Sequence, residues 1–114
     1  MKIEKTFYNN TKMPILVILG AEYVRGTVSP SVYRQTVNPQ ETETLTVDGD
    51  YISRLDLVIQ YNQIDFGMSL KTMEQEPEIT SFLKYEKFVL NYNETNEVNP
   101  PEYFQVSIIP LIEL

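Results

Sequence analysis

Short runs of alternating apolar and polar residues, separated by Asn, Pro and Gly, are the feature that most constrains the fold of this chain. The clearest run covers residues 51–61. Its two faces consist of Ser53, Leu55, Leu57, Ile59 and Tyr61 on one side and of Arg54, Asp56 and Gln60 on the other. Because successive side chains of a strand point to opposite faces, this run predicts a strand with one buried and one solvated face.

Similar runs recur along the chain, with turn signals at intervals of about 8–12 residues, a spacing typical of sandwiches and barrels. The runs are 2–8, 13–19 with its continuation 21–28 beyond Gly20, 32–37, 42–47, 51–61, 64–71, 83–92 and 103–114. Residues 13–19 are apolar on both faces, which predicts a central strand. Pro110 interrupts the last run and removes a backbone donor, so we expect that strand at a sheet edge.

A pattern of about seven or eight short strands is typical of a sandwich of two sheets. We predict an all-β fold, a single antiparallel β-sandwich of jelly-roll or immunoglobulin-like type that spans residues 1–114. At most one short helix is expected, near 78–83, because Ile79, Phe82 and Leu83 fit helical spacing.

Two turn signals stand out between the runs. The segment Asn38-Pro39-Gln40-Glu41 places Pro at the second position of a β-turn. The segment Asp48-Gly49-Asp50 predicts a tight hairpin between runs 42–47 and 51–61. A calcium loop would need further oxygen ligands at fixed positions, and the sequence supplies none at that spacing. The hairpin is therefore the favoured interpretation.

The chain contains no His, no Cys and no Trp. Histidine is the side chain best suited to proton transfer at neutral pH, and cysteine is the most accessible nucleophile. Glu74, Glu76 and Glu78 lie around Pro77, which favours a charged surface loop over the paired acids of a glycosidase. We therefore predict that the protein is not an enzyme and that it needs no cofactor or metal.

The balance of charge is acidic, with 16 Asp and Glu against 9 Lys and Arg and a net charge of −7. Binding to nucleic acid needs clustered cations, and the basic residues here are scattered, so no nucleic-acid partner is expected. The apolar run 14–21 is much shorter than the roughly 20 residues that span a bilayer. We interpret it as a buried strand, and we expect neither a signal peptide, a transmembrane segment nor a membrane partner.

Two patterns keep a binding function open. Eight tyrosines are spread over the runs, and exposed tyrosines would suit carbohydrate, although Tyr is also a common residue of half-buried strands. Asn9 and Asn93 each begin a match to the N-glycosylation acceptor pattern, which has meaning only in a secreted eukaryotic protein. A carbohydrate-binding or adhesin-like module is therefore the alternative function.

The C-terminal run predicts an assembly surface. Its apolar residues occupy both faces of a strand, whereas a surface strand of a monomer needs only one apolar face. The alternative explanation is that both faces are covered within one sandwich. The expected interface residues are Tyr103, Ile108, Ile109, Leu111 and Ile112. The favoured hypothesis is a non-enzymatic structural protein that forms a homo-oligomer or part of a larger assembly. The most concrete form is a small virion component, such as a bacteriophage capsid decoration or head-associated protein.

Overall fold

A computed structural model describes residues 2–24, 31–61, 64–71, 84–94 and 104–110. The elements in these ranges are eight strands: β1 (Lys2–Asn9), β2 (Ile15–Glu22), β3 (Ser31–Val37), β4 (Thr42–Asp48), β5 (Tyr51–Tyr61), β6 (Ile64–Lys71), β7 (Lys87–Glu94) and β8 (Phe104–Pro110). The helix predicted near 78–83 lies outside the described residues. Within those residues there is no helix long and apolar enough to cross a membrane.

The strands form two four-stranded sheets that pack against each other. Sheet I has the order β4-β1-β7-β8, and sheet II has the order β3-β2-β5-β6. The predicted two-sheet sandwich is confirmed, and β2 is a central strand as expected. The prediction of purely antiparallel pairing is wrong in one place, because β1 and β7 run parallel. Alternation along a strand specifies its faces but not its direction, so the sequence could not show this.

The core lies between the sheets and is filled from both of them. The inward-facing residues include Phe7, Ile15, Val17, Leu19, Val37, Leu45, Leu55, Leu57, Ile59, Phe88 and Leu90, all of which are buried. The rings of Phe7 and Phe88 stack with their centroids 5.8 Å apart, which joins the parallel strands β1 and β7. Since each fully buried side chain of this size contributes about 1.5–3 kcal/mol, this layer holds the two sheets together.

A β-bulge changes the predicted faces of β5. Its register with β2 shifts between Gly20 and Ala21, so that Arg54 pairs with Gly20 and Ile52 pairs with Ala21. Ser53 is the extra residue of the bulge, and it reverses the alternation of faces along β5. Ile52 is therefore buried, whereas the sequence predicts that Ser53 faces the core. Leu55, Leu57 and Ile59 face the core as predicted.

The outer face of β5 is not uniformly solvated, which corrects a second expectation. Asp56 points away from the core, yet it is only 7% exposed. The Arg54 guanidinium pairs with the Asp56 carboxylate through Oδ2. Asp56 Oδ1 has no hydrogen-bond partner within the described residues. A strand of alternating type can thus carry a buried charge on its polar face when a neighbouring cation lies two residues away.

The predicted hairpin at Asp48-Gly49-Asp50 is a crossover instead. It joins β4 in sheet I to β5 in sheet II, and these two strands do not pair with each other. Gly49 is required because a Cβ at this position would lie 2.8 Å from Ala21 Cβ and 2.9 Å from Glu22 O. The turn at residues 38–41 is confirmed by a 3.1 Å bond from Glu41 N to Asn38 O, and it also crosses between the sheets.

Candidate interaction surface

Strand β8 lies at one edge of sheet I. It pairs with β7 in antiparallel register, with Val89 opposite Ile109 and Leu90 opposite Ile108. No other described strand pairs with β8. The predicted edge position is therefore confirmed, and the second row of backbone groups of β8 has no strand partner among the described residues.

The two isoleucines of β8 have different environments. Ile108 is half-buried and packs against the hydrophobic core, beside the fully buried Leu90. Ile109 faces the other way and is 48% exposed. The prediction that this strand is apolar on both faces is thus confirmed for these two residues. Tyr103, Leu111 and Ile112 lie outside the described residues.

Strand β8 also differs from the rest of the sandwich in its charge. Its sequence, FQVSIIP, contains no Asp, Glu, Lys or Arg, whereas each of the other seven described strands contains at least one. Edge strands of monomeric proteins are usually protected by charged side chains, by proline or by bulges. Only Pro110, the last residue of β8, provides such protection.

An apolar row leads from the edge across the outer face of sheet I. Tyr8 is in register with Val89, and Val89 is in register with Ile109. Tyr8 and Val89 are half-buried and face outward, since their neighbours along each strand are buried. The Tyr8 hydroxyl donates to Gln40 Oε1 at 2.6 Å, which fixes the ring. We call Tyr8, Val89 and Ile109 the Tyr8 stripe; it crosses three adjacent strands, roughly 10 Å at the usual strand spacing.

Hydrogen-bonded polar pairs border the Tyr8 stripe on both sides. Thr6 and Thr44 share a 2.9 Å bond between their hydroxyls on one side. Asn10 Nδ2 donates to Asn91 Oδ1 at 2.9 Å on the other side. Among the described outward residues of these rows none is acidic, and Lys87 is the one charged residue. An apolar centre with a satisfied polar rim is the usual arrangement of a protein interface.

Asp48 and Asp50 lie at the end of the sandwich away from the Tyr8 stripe, and both carboxylates accept hydrogen bonds. Tyr23 OH donates to Asp48 Oδ1 at 2.6 Å, and Val24 N donates to Asp50 Oδ2 at 3.0 Å. The hydrogen bond between Tyr23 and Asp48 shifts both groups: it lowers the pKa of the Asp48 carboxyl and raises the pKa of the Tyr23 phenol. Within the described residues there is no group of His, Cys, Asp and Glu that could hold a metal ion. Glu74, Glu76 and Glu78 lie outside them.

The two exposed tyrosines among the described residues, Tyr33 and Tyr51, do not form a common platform. Tyr33 pairs with Leu19, which faces the core, whereas Tyr51 pairs with Glu22 on the outer face. The two rings are therefore on opposite sides of sheet II. The carbohydrate-binding alternative stays a prediction that gains no support from these two residues.

One of the two glycosylation patterns falls on a buried side chain. Asn9 is 0% exposed, and its Nδ2 donates to Met13 O and to Val37 O, both at 2.8 Å. Its Oδ1 accepts bonds from Thr11 N at 2.9 Å and from Thr11 Oγ1 at 2.6 Å. Every hydrogen-bonding position of this amide is filled, so Asn9 is a structural residue of the β1–β2 crossover. The side chain of Asn93 is not described.

Sequence reasoning identified Ile109 but missed the other two members of the Tyr8 stripe. Alternation places Tyr8 and Val89 on outward faces, and that was the available signal. Their proximity follows from the parallel pairing of β1 with β7, which joins segments about 80 residues apart and leaves no local pattern.

Comparison with protein-family models, with curated proteins and with solved structures gives no match for this chain.

Proposed function

We propose that this protein is a non-enzymatic assembly protein that associates through the β8 edge of sheet I. The observation that carries the proposal is the uncharged edge strand with Ile109 48% exposed at its outer face. A bare edge is a template for pairing with another chain. Covering Ile109 would add about 1.5–3 kcal/mol at most to association, so we assign it the role of an anchor within a larger contact.

The particular assembly that we propose is a virion, in which the chain serves as a capsid decoration or head-associated protein of a bacteriophage. Such a role requires a folded module with a contact surface and no chemistry of its own, and the absence of His and Cys is compatible with it. The finer type of the sandwich, jelly-roll or immunoglobulin-like, belongs to the same proposal.

The association is tested with a matched pair of substitutions. Ile109→Lys places a charge on the β8 edge, and Val32→Lys places the same charge on β3, an edge strand of sheet II, at a residue of equal exposure, 47% against 48%. Sedimentation equilibrium should give the wild-type chain a mass above 13.3 kDa that rises with concentration. We expect the Ile109→Lys variant to be monomeric and the Val32→Lys variant to associate like the wild type.

The virion assignment has its own test. Particles purified from the source should contain the chain in a fixed ratio to the major capsid protein, as measured by quantitative mass spectrometry. Equal association by both lysine variants would contradict the edge surface. A chain that is monomeric at every concentration and missing from particles would contradict the assembly function itself.

A further inference from the structure

We infer that the partner of the β8 edge is β8 of a second copy, paired antiparallel about a two-fold axis so that sheet I continues from one copy into the other. This inference rests on the proposed assembly function and specifies the partner and its geometry. A two-fold axis perpendicular to a strand reverses the strand direction, so a strand that pairs with its own copy must pair antiparallel.

The distribution of charge among the edge strands supports self-pairing at β8. The charged residues of the other three edges are Arg34 in β3, Glu43 and Asp48 in β4, and Asp65 and Lys71 in β6. When a strand pairs with its own copy about a two-fold axis, a charged residue near the axis lies close to the same residue of the copy, and this like charge destabilises the pair. Strand β8 brings no charge against its copy, and in a chain of net charge −7 this makes it the edge best suited to self-association.

The two faces of β8 fit such a continuous sheet. Side chains in register across an antiparallel pair lie on the same face, so Ile109 would extend the Tyr8 stripe towards the stripe of the second copy. Ile108, which packs against the core, would continue the inner layer. Pro110 supplies no backbone donor and marks the end of the pairing segment, which we place at 104–109.

The chain contains no cysteine, which allows the geometry to be mapped by single cysteine substitutions. The test positions are Gln105→Cys, Ser107→Cys and Ile109→Cys, which are every second residue of β8. The controls are Thr44→Cys on the opposite edge of sheet I, Val32→Cys on an edge of sheet II, and Val89→Cys in the centre of the Tyr8 stripe. A disulfide forms only where two Cα atoms lie about 4.4–6.8 Å apart.

Under mild oxidation, the β8 position closest to the two-fold axis should form a reducible dimer, and the other positions on that strand should react less with distance from the axis. We expect this reaction to be about tenfold or more faster than at Thr44→Cys or Val32→Cys, because pairing raises the effective concentration of the two thiols. Amides of β8 in the wild-type chain should also exchange with solvent more slowly as the protein concentration rises.

The possible failures are distinguishable. If the wild-type chain associates but Val89→Cys cross-links as fast as any β8 position, the copies pack face to face and the inference is wrong while the assembly function stands. The same holds if the chain is monomeric alone but is present in particles, since its partner is then another protein. A chain that neither self-associates nor occurs in particles would overturn both.

Discussion

At the scale of single residues, Asn9 is the polar group on which the packing of the β1–β2 crossover depends. Its amide accepts two hydrogen bonds and donates two, the latter to Met13 O and Val37 O. Removing such a partner leaves buried backbone groups without hydrogen bonds, which costs about 1–3 kcal/mol for each group. The crossover therefore tolerates no other residue well at this position.

We expect Asn9→Ala to lower the free energy of unfolding by about 2–4 kcal/mol. The buried Val37 carbonyl and Thr11 amide each lose a hydrogen-bond partner, and the part-buried Met13 carbonyl keeps only its bond from Thr11 Oγ1. The measurement is urea denaturation followed by circular dichroism. The matched control is Asn10→Ala, which removes an exposed hydrogen bond to Asn91 and should cost about 0.5 kcal/mol or less. Equal losses for the two variants would contradict the role given to Asn9.

Lys5 makes the stability of the fold depend on pH in the alkaline range. It faces the core at 6% exposure, and its Nζ donates to Tyr85 O at 2.6 Å. Burial lowers the pKa of Lys5 from its ordinary value of 10.5, although Glu86 acts in the opposite direction. The folded state therefore binds fewer protons than the unfolded state between these two pKa values, and stability should rise with pH in that window.

The substitution Lys5→Met tests this dependence because it keeps the length of the side chain and removes the charge. The difference in unfolding free energy between wild type and variant cancels the contributions of the other ionisable groups, because both chains contain them. This difference should shift in favour of the wild type as the pH approaches 10.5 from below and should be constant around neutral pH. A difference that does not change with pH would contradict the desolvation of Lys5.

At the scale of elements, the sequence predicted most strands and both faces of several of them, because alternation is a local property. Leu55, Leu57 and Ile59 face the core for that reason. The prediction failed at Ser53, since a bulge inserts one residue and depends on the register with β2. Asp48-Gly49-Asp50 was predicted as a hairpin because its composition is the same for a turn within a sheet and for a crossover between sheets.

The candidate surface could be predicted only in part for the same physical reason. Ile109 was recognisable because an apolar strand interrupted by proline has the composition of an edge. Its neighbours Tyr8 and Val89 depend on the parallel pairing of β1 with β7, a contact between segments remote in sequence. Local patterns determine which way a side chain faces, whereas the partner across the sheet is determined by the topology of the whole chain.

At the scale of the whole molecule, the net charge opposes self-association, and β8 is the one described edge strand that contains no charged residue. Each copy carries a net charge of −7, so two copies repel each other at long range. The rows around the Tyr8 stripe contain no described acidic residue, and no ion pair is expected to form across the proposed contact. Salt should therefore weaken the repulsion without weakening the contact itself.

We expect the dimer to become tighter as salt is added, because the Debye length falls from about 30 Å at 0.01 M to about 8 Å at 0.15 M and screens the repulsion between the copies. The dissociation constant should fall severalfold over this range in sedimentation experiments on the wild-type chain. Val32→Lys makes the chain less negative at a residue outside the contact. Added salt should therefore also lower the dissociation constant of this variant, but by a smaller factor. Dissociation promoted by salt would mean that ion pairs hold the copies together, and the uncharged β8 edge would then be the wrong surface.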